Sequence, residues 1–139
     1  MTTPLRLLIV DDDNALRVNL VRRYRHLNME VADFDSGEAL LGRWPAGRWD
    51  VALLDLRLPG MDGIALLEKV KERQPDLEAI LFTAEGSIDT AVDAMRRGAY
   101  DYVTKPVAHM PDLDIRIQKA SEKVRLVRKD RQWAEHLAY

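Results

Sequence analysis

Leu5-Arg6-Leu7-Leu8-Ile9-Val10-Asp11-Asp12-Asp13 is a largely apolar run that stops abruptly in three acids. The same punctuation recurs along the chain. Residues 51–54 end at Asp55, residues 79–82 at Thr83, and residues 100–103 shortly before Lys105. Such short runs, nearly continuous in hydrophobicity, are expected of parallel strands buried on both faces. Amphipathic segments of helical length lie between them, so strand and helix alternate. In a sheet of this kind the carboxyl ends of the strands share one edge, and ligands bind in the crevice there. Asp11, Asp12, Asp55, Thr83 and Lys105 are thereby expected to converge. Three carboxylates, a hydroxyl and an ammonium suit a hard metal ion and a phosphoryl group.

The rest of the chain fills in this alternation. Residues 14–27 carry Leu16, Leu20, Tyr24 and Leu27 at helical spacing, and residues 29–34 read as a second strand. Ser36 is placed to cap a short helix over 37–43, closed by Trp44-Pro45 and Gly47. After Asp55 comes Pro59-Gly60-Met61-Asp62-Gly63, a loop of strong turn formers. Ile64, Leu67, Val70 and Lys71 mark the next helix, which Pro75 ends. Ser87 caps a helix over 88–97, and Gly98 has the place of the residue that follows a helix C-cap. The segment 112–139 differs in character. Leu113, Ile117, Ala120, Val124, Val127, Arg131, Ala134 and Ala138 alternate spacings of four and three, a heptad-like stripe interrupted by Arg131. Two readings follow: one long amphipathic helix, or a helix that packs on the sheet first and dimerises beyond it.

Composition bounds the function. At 139 residues the chain suits one small domain with a real core. Its 21 basic and 23 acidic residues nearly balance, which gives no footprint for direct nucleic-acid or anionic-membrane binding. Without cysteine there is neither a disulfide framework nor a thiolate zinc site. No apolar stretch approaches the roughly 20 residues needed to span a bilayer, and the first residues lack the pattern of a signal peptide. A cytoplasmic location is expected.

Taken singly, the candidate site residues have ordinary explanations. Asp11, Asp12 and Asp13 before a helix suit a cap and a favourable helix dipole. Asp55 suits a loop cap, Lys105 a surface charge, and Thr83 a β-branched strand position. Their joint place at strand ends is what points to chemistry. Crowded carboxylates repel one another unless a cation lies among them. Mg²⁺ is usually held by one or two carboxylates together with phosphate oxygens. A carboxylate can also attack phosphorus and become an aspartyl phosphate, with positioned cations stabilising the transferring group. Lys105 supplies a point charge and Thr83 a hydroxyl donor.

Val10-Asp11-Asp12, Asp55 with Pro59-Gly60-Met61-Asp62-Gly63, Thr83-Ala84 and Lys105-Pro106 together resemble the receiver domain of bacterial two-component response regulators. The resemblance covers residues 5 to 108. It implies an α/β fold, a doubly wound five-stranded parallel sheet in the flavodoxin-like order 2-1-3-4-5, flanked by five helices. It also implies that Asp55 accepts a phosphoryl group from a sensor histidine kinase or phosphotransfer protein. Asp12 and Asp55 would bind Mg²⁺ directly, Asp11 through water, and the Arg57 carbonyl would complete the set. Lys105 would pair with the phosphate, its bond to Pro106 would be cis, and Thr83 and Tyr102 would form a coupled switch. The protein would be a signalling receiver rather than an enzyme, catalysing only its own phosphorylation and dephosphorylation.

Gly86-Ser87-Ile88-Asp89-Thr90-Ala91-Val92, and the stretch from Arg97-Gly98-Ala99 to Tyr102, resemble more particularly the receivers of NtrC-type transcription regulators. In these a helical linker leads to an AAA+ ATPase, and Arg125, Arg128, Lys129 and Arg131 would suit such a linker. No Walker A sequence occurs here. The expected division is a receiver over residues 4–121 and a helical extension over 122–139, either a linker to a missing output domain or the end of a stand-alone receiver. A homodimer through the C-terminal helix is a further expectation. Rival classes fit less well. A haloacid dehalogenase-type phosphatase needs an acid two residues after its nucleophile, where Arg57 stands. A flavodoxin would want a Ser/Thr/Gly-rich phosphate loop in place of three acids. A degenerate receiver, acting only as a protein-binding module, would not need all five residues. Arg57 and Glu85 flank the expected path of an attacking water, either as an ion pair or as separate rim charges.

Overall fold

The computed structural model describes residues 3–84 and 86–137, and side chains as far as Arg131. Glu85 and Ala138, and the side chain of Ala134, lie outside the described residues, and with them the choice between an Arg57–Glu85 ion pair and separate rim charges, and the far end of the stripe. The elements run β1 (Arg6–Val10), α1 (Asn14–His26), β2 (Glu30–Phe34), α2 (Gly37–Gly42), β3 (Val51–Leu54) and α3 (Gly63–Arg73), then β4 (Glu78–Thr83), α4 (Ile88–Arg96), β5 (Asp101–Thr104) and α5 (Met110–Leu137). All strand pairings are parallel, and the order is β2-β1-β3-β4-β5. The expected doubly wound sheet is present.

The alternation of side chains along the strands builds two cores. Leu7 and Ile9 of β1, Val51 and Leu53 of β3, and Ile80 and Phe82 of β4 face α1 and α5, where Leu20, Tyr24, Leu113 and Ile117 cover them. Leu8, Val10, Ala52, Leu54, Ala79 and Leu81 point the other way, onto Leu40, Leu66, Leu67, Val70 and Ala94 of α2, α3 and α4. Burial on both faces is why these runs carry no polar alternation. The helices begin where short polar side chains accept from the first turn: Asp13 from the Leu16 amide, Ser36 from Ala39, Asp62 from Ala65 and Ser87 from Thr90. Gly98 follows the C-cap of α4 with φ of 103°, a left-handed conformation that favours glycine.

Several details differ from the sequence pattern. In α1, Val21 is buried with Leu20 and Tyr24, whereas Leu27 is exposed beyond the helix end. Lys71 does not share the inward face of α3. Its ammonium bonds the carbonyls of Pro75 (2.9 Å) and Leu77 (2.7 Å) and so closes the helix. Strand β5 is offset by one residue, because Tyr100 already bonds across to the Ala79 carbonyl in the loop before it. Helix α5 starts at Met110, two residues earlier than the pattern suggests, since Pro111 is tolerated in a first turn that needs no N–H. Beyond Ser121 the apolar stripe is still inward at Val124, which is 1% exposed, and Val127 is half-buried.

Candidate functional site

Main-chain bonds hold the strand ends side by side, β1 against β2, β3 against β1 and β5 against β4. The Asp11 amide donates to the Phe34 carbonyl (3.1 Å), Asp55 to Val10 (2.9 Å) and Lys105 to Thr83 (2.8 Å). Residues separated by up to 94 positions thus share one edge. Asp11, Asp12 and Asp55 each offer a carboxylate oxygen within 4.8 Å of the others. Asp11 and Asp55 are buried and Asp12 is exposed, so the cluster opens to solvent on the Asp12 side.

Lys105 reaches into this cluster. Its ammonium lies 2.7 Å from Asp11 Oδ2 and 3.1 Å from Asp55 Oδ2, and 5.2 Å above the Phe82 ring. The bond from Lys105 to Pro106 is cis. Burial acts on both partners. It raises the pKa of Asp11 and outweighs the lowering by Lys105, while repulsion from Asp55 adds to the rise. For Lys105, burial would lower the pKa, but the bonds and charges of Asp11 and Asp55 prevail and raise it. One ammonium against three carboxylates leaves two formal negative charges in a partly desolvated pocket. A divalent cation fits that deficit and that set of hard oxygen donors.

The three acids of the first loop divide their tasks. Asp13 is the helix cap, while Asp11 and Asp12 face the cluster, and the Asp13 amide holds Asp11 Oδ1 at 2.9 Å. After Asp55, the Arg57 amide donates to Asp55 Oδ1 (3.2 Å), fixing the carboxylate, and the Arg57 side chain is exposed. Thr83 is buried at the end of β4, in register with Thr104. Tyr102 pairs with Leu81 on the neighbouring strand and is half-buried against the second core. Burial, and then the negative charge of Asp55, raises the Tyr102 pKa.

Two supports were not visible in the sequence. Glu38 in the first turn of α2 accepts from the Met61 amide at 2.7 Å and so ties down the loop after Asp55. Gly63 donates to the Leu56 carbonyl at 2.9 Å, with its Cα pressed against the backbone of Asp55 and Leu56. Only the glycine itself signalled the second contact, and nothing signalled the first.

Residues 7–118 match the family model of the response regulator receiver domain. The chain belongs to this family. It is 43% identical over 98 residues to the DNA-binding transcriptional regulator NtrC of Klebsiella pneumoniae, covering 70% of this chain and 21% of that protein. It is 36% identical over 131 residues to the C4-dicarboxylate transport transcriptional regulatory protein DctD of Rhizobium meliloti, covering 94% of this chain and 28% of that one. Among solved structures, a CheY-like response regulator receiver domain protein from Methanospirillum hungatei superposes with a TM-score of 0.82 at 29% identity, over 88% of this chain and 98% of that one. The receiver spans about a fifth of the length of its NtrC relatives. It is a signalling module by family, and among its described residues no helix is long and apolar enough to cross a membrane.

Proposed function

We propose that this receiver takes a phosphoryl group onto Asp55 from a sensor histidine kinase or phosphotransfer protein and uses it to switch a transcriptional output. The observation that carries this reading is the Lys105 ammonium bridging buried Asp11 and Asp55. An Asp55 carboxylate oxygen forms a bond to phosphorus as the bond from phosphorus to the donor imidazole nitrogen breaks. The imidazole keeps the electron pair and takes a proton. Lys105 stands where negative charge on the equatorial oxygens of the phosphoryl group needs a partner. Asp11, Asp12, Asp55 and the Arg57 carbonyl would hold Mg²⁺, which supplies charge neutralisation for the transferring group.

The Thr83 hydroxyl, drawn towards the new phosphate, would let Tyr102 repack, giving two discrete arrangements of α4, β5 and the start of α5. Helix α4 suits such a shift, since Ala94 is its only buried residue. The helical extension over 122–139 would lead to an output domain and contribute to a homodimer. The similarity to DctD supports the link to an output domain, because it takes in most of α5 and covers only 28% of that longer protein.

Acetyl phosphate with Mg²⁺ should add one phosphoryl group to the protein, and Asp55→Asn should abolish labelling. Asp12→Asn should weaken Mg²⁺ binding and slow labelling. Undiminished labelling of Asp55→Asn would remove the assignment, and a wild-type protein that never labels would favour the protein-binding module instead.

A further inference from the structure

Asp50 and Asp76 lie at the sheet edge opposite the carboxylate cluster, just before β3 and β4, and both are buried. Groups outside α5 already hold one oxygen of each. The Arg6 amide donates to Asp50 Oδ2 (2.8 Å), and the Gln74 side chain donates to Asp76 Oδ1 (3.2 Å). Gln74 also brackets Trp49, accepting from its amide at 3.0 Å and donating to its carbonyl. The other carboxylate oxygens, Asp50 Oδ1 and Asp76 Oδ2, meet the Arg128 guanidinium beside that carbonyl. Nη1 reaches Asp50 at 2.7 Å, Nε reaches Asp76 at 2.7 Å and Nη2 reaches the Trp49 carbonyl at 2.9 Å. Every nitrogen of the fork is engaged, a fit that an ammonium, as a point donor, does not reproduce. Arg48, mostly exposed, approaches Asp76 only to 3.8 Å from the rim.

We propose that Asp50, Asp76 and the Trp49 carbonyl form a guanidinium-binding socket whose occupant, Arg128, fixes the rotation of α5 where it leaves the domain. Among the described residues of α5 none past Val124 is fully buried, so polar contacts take over the hold on the helix. The neighbouring Arg125 is turned away, to the Thr3 carbonyl (2.8 Å). A helix held by apolar contacts alone tolerates rotation by part of a turn, since the hydrophobic effect is not directional. Three donors on three fixed acceptors admit one setting. An output domain carried on the extension would therefore sit at a set angle to the receiver. That consequence rests on the proposed function, whereas the recognition of a guanidinium does not.

Arg128→Ala in the full chain separates the socket from the hold on the helix. Methylguanidinium at about 50 mM, far below denaturing concentrations, should enter the vacated socket. It should shift the Trp49 and Gln74 amide resonances of the variant saturably and raise its thermal midpoint, whereas methylammonium at equal ionic strength should do neither. In wild type, where Arg128 fills the socket, neither compound should shift these resonances. Amide hydrogen exchange across residues 125–131 should be faster in Arg128→Ala than in wild type by about ten-fold or more. Methylguanidinium should not slow it, because the bound cation is not tied to the helix. Arg128→Lys keeps a cation at the socket and so serves even if the alanine variant does not fold. It loses the fork, and its exchange over the same residues should still rise by about three-fold or more. Equal effects of the two compounds on Arg128→Ala, or wild-type exchange in Arg128→Lys, would overturn the proposal. Labelling by acetyl phosphate with Mg²⁺ reports on Asp55 at the other edge. A wild-type protein that never labels would defeat the proposed function and leave the socket standing.

Discussion

Gly63 shows how far a single residue without a side chain controls the site. Its backbone is not of the left-handed kind, so conformational freedom is not what it provides. A β-carbon there would overlap the Asp55 carbonyl oxygen and come within 2.7 Å of Leu56 Cα. Both are backbone atoms of the segment that presents Asp55, the proposed phosphoacceptor, and neither can swing aside as a long side chain could. Gly63→Ala should therefore destabilise the protein by about 2–3 kcal/mol in urea unfolding, through displacement of that segment. Gly42→Ala, in open space within a helix, should be neutral or stabilising by up to about 1 kcal/mol. The contrast explains what could be read at this scale. Asp11, Asp55, Thr83 and Lys105 were legible because each ends an apolar run, and the ends of parallel strands meet. Turn propensity accounts for Gly60, with φ of 74°, but not for Gly63, whose reason is an approach between two backbone segments. The hydrogen bond from Met61 to Glu38 was hidden for the same reason, as it joins elements that no local pattern relates.

At the scale of the element, α5 is fastened by ion pairs as much as by its apolar stripe. Arg23 of α1 pairs with Asp114 near its start, and Lys123 reaches Glu78 at 3.5 Å. Arg128 donates to Asp76 Oδ2 (2.7 Å), Asp50 Oδ1 (2.7 Å) and the Trp49 carbonyl (2.9 Å), at the edge of the sheet opposite the carboxylate cluster. Both acids are buried, and removing the guanidinium would leave Asp50 with the Arg6 amide and Asp76 with Gln74 and the more distant Arg48 at 3.8 Å. Arg128→Met should cost about 3 kcal/mol near neutral pH, where the disruption of buried pairs lies. The pH dependence has a definite sign. Burial alone would raise the Asp76 pKa, but the bond and charge of Arg128, joined by the Gln74 bond and the charge of Arg48, outweigh it and hold it below the ordinary value. The stabilisation is then fully present above the unfolded pKa near 3.8 and is lost as pH falls through the lower folded value. The gap in unfolding free energy between wild type and Arg128→Met should narrow below about pH 4. A gap independent of pH would show that Arg128 contributes packing rather than charge. The stripe of α5 was legible to Val124 because period and burial agree there. Arg128 was read as linker charge, since its partners stand 52 and 78 positions away.

For the whole molecule, the anchor at Arg128 determines which part of α5 is free to meet a second copy. A stripe that leaves its domain must be covered or remain exposed, at about 25 cal/mol per Å² of apolar surface. Leu113, Ile117, Ala120 and Val124, the stripe's inward residues, are already buried in the domain and cannot also form a seam. What remains is the segment after the anchor, together with Leu126, which is 62% exposed beside it. A cut near Ser121 would therefore be a poor test of dimerisation, because it strips Val124 and Arg128 from the domain and destabilises what it is meant to isolate. A chain ending after Lys129 keeps both. If the extension forms the seam, the full chain with Mg²⁺ and beryllofluoride should sediment as a dimer and the chain ending after Lys129 as a monomer. Both chains should label equally with acetyl phosphate, since the cut leaves the opposite edge of the sheet untouched. Equal sedimentation of the two in the presence of the mimic would mean that residues 130–139 are not the seam. A dimer formed by both would then place the contact on α4, β5 and the exposed flank of α5, where Ile88, Val92, Met95 and Ile115 face solvent.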